Sequence, residues 1–271
     1  MPAAAVTIFG IVNVTRDSFS DGGRFLEPRA AIEHARSLVD DGADVIDVGA
    51  ASSHPEAEVV TVAEEIRRLE PVIGALVASG IAVSVDSTQP QVQRFALAAG
   101  ASWINDIRGF PDQAMYPHLA ASGAALVVMH SIARAERATR EHTQPAAVLD
   151  GIVEFFDARI AALQAAGIAR ERLVLDPGMG LFLGADPEPS VLVLQRLGEL
   201  RDRYAVPLMI SVSRKSLVGR LSGRPRSPRD ASSLATELFA VERGATFIRT
   251  HEPRLLRDAL VAREALERPL V

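Results

Sequence analysis

The segment from Ala82 to His130 decides the fold, and it divides as AVSVDS, TQPQVQRFALAAGAS, WINDI, RGFPDQAMYPHLAASGA and ALVVMH. Residues 82–87, 103–107 and 125–130 are short, β-branched and nearly continuous in hydrophobicity, as strands covered on both faces should be. Residues 91–99 and 114–121 carry apolar side chains every three or four positions, the spacing of a helix with one buried face. Strand, helix, strand, helix, strand in one unbroken run implies a parallel sheet with crossover helices.

Outward from this segment the alternation continues to both ends. Further strand runs lie at residues 6–14, 44–49, 173–177, 207–213 and 247–251. Further helices are expected at residues 62–77, 190–204, 230–243 and 254–267. Two more are marked by Ile32, Ala35, Leu38 and Val39 before Gly42, and by Leu149, Ile152, Val153, Phe156, Ile160 and Leu163 before Gly167. Each glycine stands where a helix C-terminus needs a left-handed residue. Eight strand–helix pairs in 271 residues match the roughly 250 typical of a (β/α)8 TIM barrel. The expectation is an α/β protein of that architecture, with residues 1–271 as one domain; an open doubly wound sheet is the alternative.

Composition narrows the function. With 48% apolar residues and a net charge of −5, the chain supplies a large core and excludes a disordered acidic or basic tail as the main object. It contains no cysteine, which removes disulfides, thiolate metal sites and a cysteine nucleophile together. A metal would have to use oxygen or imidazole ligands. No cationic leader or run of about 18 apolar residues is present, so a soluble, cytoplasmic protein is expected. The acidic balance and 5% aromatic content offer neither a phosphate track nor stacking platforms, so no nucleic-acid partner is expected, and no membrane.

Barrel chemistry gathers at the C-terminal ends of strands. The residues closing the runs are Asn13, Asp47, Asp86, Asn105 with Asp106, His130, Asp176, the triplet Ser213, Arg214 and Lys215, and the pair Arg249 and His251. Single Asp, Asn or Ser residues there often only cap helices or stitch loops, and Asp47 and Asp106 read most readily as structural. As a set they put acids on strands three and six and cations on strands seven and eight, which suggests one mouth with an accepting side and a cationic side. Lys215 is the sole lysine beside 28 arginines, a position for a compact, rotatable ammonium. Residues 213–229 carry six basic residues and no acid and read as a basic loop suited to phosphate. Residues 15–23 and 49–56 are rich in small polar residues and suit closing loops.

Taken together, GIVNVTRDSFSDGG (residues 10–23), VDS (85–87), ND (105–106), LDPGMG (175–180), SRKS (213–216) and RTH (249–251) resemble the dihydropteroate synthase family over essentially the whole chain. The resemblance implies a pterin-binding barrel that joins 6-hydroxymethyl-7,8-dihydropterin diphosphate to 4-aminobenzoate with release of diphosphate, requires Mg2+, and forms a homodimer through its later outer helices. It implies that Asp86, Asn105, Met129, Asp176, Arg214 and Lys215 bind the pterin. Asn13, Arg249 and His251 would then hold diphosphate, with Asn13 also on the metal. Phe19, Ser53, Pro55, Phe182, Lys215 and Ser216 would surround the aminobenzoate, and Lys215, Arg249, His251 and Asp86 would carry catalysis. The second loop departs from the family's usual Gly-Gly-Glu-Ser-Thr-Arg-Pro-Gly, since Ser53 and His54 stand for the threonine and arginine. That loop and the long connection at residues 180–190 are similar to the sulfonamide-insensitive branch, with bulk around Phe182 expected to narrow the aminobenzoate pocket. A weakly catalytic pterin-binding paralogue and a pterin-dependent methyl carrier are the alternatives; the second would have no use for the Ser-Arg-Lys and Arg-Thr-His set.

Overall fold

The computed structural model describes residues 5–15, 28–54, 56–57, 59–133, 135–223 and 229–268. Eight parallel strands follow one another with helices between them: β1 (Thr7–Asn13), β2 (Val45–Gly49), β3 (Val83–Asp86), β4 (Trp103–Asp106), β5 (Ala125–Met129), β6 (Leu173–Asp176), β7 (Met209–Ile210) and β8 (Phe247–Thr250). They hydrogen-bond in the order β6-β5-β4-β3-β2-β1-β8-β7. The ring is brought round between β6 and β7 by a single parallel bridge, Leu175 to Leu208, with the Leu175 amide donating to the Pro207 carbonyl at 2.9 Å. This is the TIM barrel, and the open sheet is set aside.

Ten α-helices are described: α1 (Pro28–Asp40), α2 (Val62–Ala78), α3 (Pro90–Ala98), α4 (Tyr116–Ser122), α5 (Pro145–Ala165), α6 (Glu188–Gln195), α7 (Leu197–Tyr204), α8 (Ser216–Leu221), α9 (Asp230–Glu242) and α10 (Pro253–Glu267). Gly42 and Gly167 do take left-handed φ values of 94° and 84° just past their helices. Three boundaries differ from expectation. The helix expected at 190–204 is two, parted at Arg196 (φ −98°, ψ 9°), two residues before the weak helix former Gly198. Strand seven, expected at 207–213, pairs only over Met209–Ile210, because the chain then turns sharply, Arg214 taking φ 56° and the Lys215 amide bonding the Val212 carbonyl at 3.1 Å. The basic segment 213–229 is not all loop, since α8 begins inside it, and its residues 224–228 lie outside the described residues.

Side chains alternate inward and outward along every barrel strand. The outward set, including Ile8, Val12, Ile46, Val48, Val83, Val85, Ile104, Leu126, Val128, Leu173, Leu175 and Ile248, packs with the helices into the main core. The inward set begins with an apolar floor of Phe9, Val45, Val127, Val174 and Met209, joined by Trp103 and Phe247. Phe9 stands edge-on to Trp103 at 5.1 Å and to Phe247 at 5.9 Å between ring centroids. Above that floor the same parity presents Asn13, Asp47, Asp86, Asn105, Met129, Asp176 and Arg249. The strands therefore look continuously apolar in sequence except at the upper inward positions, where the polar residues are held over a dry plug.

Phe9→Ala should cost about 3–5 kcal/mol of unfolding free energy in chemical denaturation, because it removes the ring that the other two aromatic residues pack against. A loss under about 1 kcal/mol would mean the floor does not carry the barrel.

Candidate active site

Arg249, inward on β8, bridges two acids across the mouth. Its Nε donates to Asp47 Oδ2 at 2.5 Å and its Nη2 to Asp86 Oδ2 at 3.0 Å. Asp47 has no exposed surface, and its other oxygen, Oδ1, is buried without a partner. Asn105 donates from Nδ2 to Asp47 Oδ2 at 3.4 Å, and its own Oδ1 is likewise buried without a partner. The floor of the mouth thus holds fixed positive charge between two carboxylates, with unused acceptor capacity on Asp47 and Asn105. Burial pushes Asp86 up to about 7 against the pull of Arg249, with Asp47 adding repulsion.

The opposite wall carries Asp176 and Lys215. Asp176 accepts the Gly178 amide at 2.8 Å, and its carboxyl is raised by burial while Lys215 lowers it. Gly178 has φ 80°, and a Cβ there would stand 2.4 Å from the His130 carbonyl oxygen, so only glycine lets this turn close over Asp176. The Lys215 ammonium donates to the Met179 carbonyl at 3.3 Å and lies 5.0 Å above the Phe182 ring. Burial lowers Lys215 to about 8, with Asp176 and Asp86 working the other way. Asp176 and Lys215 are therefore neighbours in one mouth, as the sequence reading requires.

The remaining expected residues fall into place less uniformly. His251 takes a hydrogen bond between Nδ1 and Ser213 Oγ at 3.0 Å, and burial, then Arg214 and Arg249, lower it to about 3. It is a neutral ring at physiological pH, not the cation expected beside diphosphate. The Arg214 guanidinium is engaged by Asp230, at 3.1 Å from Nε, and by Glu252, at the N-termini of α9 and α10, while its amide donates to Ser233 Oγ at 3.0 Å. Met129 and Phe182 form a buried apolar cluster with Ile107 and Ala138. The Ser53 carbonyl accepts the Ala138 amide at 3.0 Å, clipping the loop after β2 to the loop after β5. Ser216, first in α8, is exposed. Phe19 and Pro55 lie outside the described residues, as does most of the loop at 15–23.

Asp106 behaves as a structural acid, accepting the Arg108 amide at 2.8 Å, the Phe110 amide at 3.2 Å and Gln93 Nε2 at 3.0 Å. His130 is buried on the outward side, with Nδ1 3.3 Å from the Pro177 carbonyl. Asp47, read as structural from the sequence, is instead central. Its position two residues after inward Val45 on β2 was the available signal.

Mg2+ was the expected metal. Among the described residues no group of three or more His, Cys, Asp or Glu side chains is placed to hold a metal ion. What the mouth offers at the end of β1 is the amide of Asn13, on the same parity as Phe9. One neutral oxygen donor with substrate oxygens and water fits an ion that prefers to keep a loose, all-oxygen shell.

Comparison with known proteins agrees with this geometry. Residues 9–251 match the family of pterin binding enzymes. The type-2 dihydropteroate synthase of Escherichia coli is 57% identical over 97% of this chain and 97% of its own length. The chain belongs to the dihydropteroate synthase family. The type-3 dihydropteroate synthase of Escherichia coli is 52% identical, covering 96% of this chain and 98% of its own. The structure of the Xanthomonas albilineans dihydropteroate synthase with 4-aminobenzoic acid superposes with a TM-score of 0.87 at 37% identity, over 98% of this chain and 94% of that one. As a dihydropteroate synthase the protein is a transferase of folate biosynthesis, condensing 6-hydroxymethyl-7,8-dihydropterin diphosphate with 4-aminobenzoate. No helix among the described residues is long and apolar enough to cross a membrane.

The state of His251 can be read from stability. Its folded value of about 3 lies below the ordinary 6.5, so between these the unfolded chain takes up a proton that the folded ring refuses. Its contribution is full above about 6.5 and is lost as pH falls towards about 3. Asp86 runs the other way, losing its share as pH rises through about 7. The difference in unfolding free energy between wild type and His251→Gln isolates the histidine and should shrink steadily from pH 7 to pH 4. A constant difference would show that His251 is not held neutral.

Proposed function

We propose that the mouth holds the pterin with acceptors drawn from both walls and its diphosphate with the cations Lys215 and Arg249. The observation that carries this reading is the pairing of an acceptor array, Asp86 and Asn105 around Arg249, with Lys215 beside Asp176 across the same opening. A pterin's amino-pyrimidinone edge presents N–H donors, and Asp86, Asn105 and Asp176 are their acceptors. Asn105 Oδ1, buried without a hydrogen-bond partner, is free to accept such a donor. Met129, Lys215 and the Arg214 stem pack near the ring.

Lys215 and Arg249 face the diphosphate, with Asn13 on the metal and His251 as a neutral hydrogen-bond donor rather than a charge. When bound, Mg2+ neutralises charge on the leaving diphosphate. The C–O bond between the pterin methylene and the diphosphate breaks first, its electron pair leaving with diphosphate. The aniline nitrogen of 4-aminobenzoate then bonds to the cationic methylene carbon and releases a proton to solvent. An aniline is already unprotonated at neutral pH, so neither acid need act as its general base. Fixed positive charge aimed at the departing oxygens is the main means of acceleration. The aminobenzoate lies by Ser53, Phe182, Lys215 and Ser216, the further expected contacts Phe19 and Pro55 lying outside the described residues.

Residues 1–271 act as one pterin-binding domain, in a cytoplasmic homodimer. Phe182, wedged among Ile107, Met129 and Ala138, narrows the aminobenzoate pocket so that the bulkier sulfonamides are disfavoured.

Lys215→Ala should lower the rate of dihydropteroate formation by about 100- to 1000-fold with little change in melting temperature, since the residue faces ligand rather than core. Near-normal turnover would remove it from the mechanism, and tight pterin binding by wild type without any product would make the protein a binding paralogue. Phe182→Ala should lower the inhibition constant for sulfamethoxazole by roughly ten- to two-hundredfold, with a smaller change in the KM for 4-aminobenzoate. Equal inhibition of wild type and variant would end the steric reading.

A further inference from the structure

Behind the pterin wall, on the outward side of the barrel, lies a buried polar chain that the reaction does not use. Ser87 and Asp106 each follow an inward acceptor, Asp86 and Asn105, and face away from the mouth. The ladder between β3 and β4 has its last register pair at Asp86 and Asn105, followed by one bond from the Ser87 amide to the Asn105 carbonyl at 3.1 Å. The next rung is a side chain. Gln93, on α3 and 2% exposed, donates from its single amide nitrogen to the Ser87 carbonyl at 2.8 Å and to Asp106 Oδ2 at 3.0 Å. On α2, Glu65 is buried with its carboxyl raised by burial and lowered by Ser87, and Arg68 Nη1 donates to the Ala50 carbonyl at 3.1 Å. The backbones just beyond β2, β3 and β4 are thus tied from outside.

Packing backs this tie only in part. A cavity of about 300 Å³ opens at the same spot, lined among others by Thr88, Gln93, Asp106 and Arg108. Val92 and Ala96 anchor α3 in the main core, but beside the open space the Gln93 amide is what couples α3 to the ends of β3 and β4. A shift of a few tenths of an ångström there misaims two acceptors that must meet one flat heterocycle.

We propose that Gln93 is a positioning residue for pterin recognition, its amide serving as the rung that fixes the spacing of Asp86 and Asn105. This rests on the reading of those two residues as pterin acceptors. Gln93 touches no substrate, and its effect is transmitted by backbone.

The test replaces the amide at nearly constant volume. Gln93→Met, or Gln93→Leu if the first yields no folded protein, should weaken binding of 6-hydroxymethylpterin by about tenfold in titration calorimetry, the scale of one lost buried hydrogen bond. The KM for 4-aminobenzoate should stay within about twofold. A purely structural role would lower the melting temperature while the folded protein keeps wild-type pterin affinity, and that result overturns the proposal. Asp86→Asn serves as the separate check on the acceptor reading. If it abolishes pterin binding while the Gln93 variants bind like wild type, positioning by Gln93 alone is refuted. If Asp86→Asn binds normally, the acceptor reading and this inference fall together.

Discussion

Two carboxylates at neighbouring strand ends, Asp47 fully buried and Asp86 partly so, would repel each other and resist folding if nothing stood between them. Arg249 stands there, and the arrangement of the mouth follows from it. A guanidinium in a partly dry site keeps its charge under all ordinary conditions and offers donors in a rigid fork, so it can satisfy one oxygen of each acid at once. That use leaves other oxygens unclaimed. Those unclaimed acceptors, with the Asn105 side-chain oxygen, form a polar face suited to N–H donors. Removing the arginine would leave buried charge uncompensated, which is why such an ion pair is better understood as a fixed template than as a source of stability.

The second wall is tuned differently. Lys215 and Asp176 act on each other without a direct bond between them, and the lysine is held by a carbonyl and an aromatic face. An ammonium so placed is not locked by a direct carboxylate partner and can turn towards an incoming anion. The backbone that delivers it is unusual, since Arg214 adopts a left-handed conformation rarely taken by a long side chain. Its amide bond to Ser233 and its contacts with Asp230 and Glu252 hold that turn, so the helices after strands seven and eight fix where the lysine begins.

Much of this was legible in the sequence. All eight strands were visible because each is covered on both faces and reads as an apolar run, and the polar residues closing them stood out against that background. What was missed has physical causes. Asp47 looked structural because its neighbours Ile46 and Val48 are core residues; only strict alternation from Val45 places it inside the ring. The break at Arg196 leaves the apolar period undisturbed, so nothing in residues 190–204 announced two helices. The shortening of β7 depends on the turn at Arg214, and a non-glycine in left-handed conformation is set by tertiary contacts, which sequence spacing does not carry. The burial of His251 beside two arginines, which holds its ring neutral, is likewise a property of the folded state.

The solitary lysine has a practical meaning for anyone handling the protein. An ammonium with a value near 8 is a substantial fraction free amine in mildly alkaline buffer. Because no other side chain of its kind exists in the chain, acylating reagents that seek primary amines find only this residue and the amino terminus. Covalent tagging here would report directly on whether the mouth is open or filled.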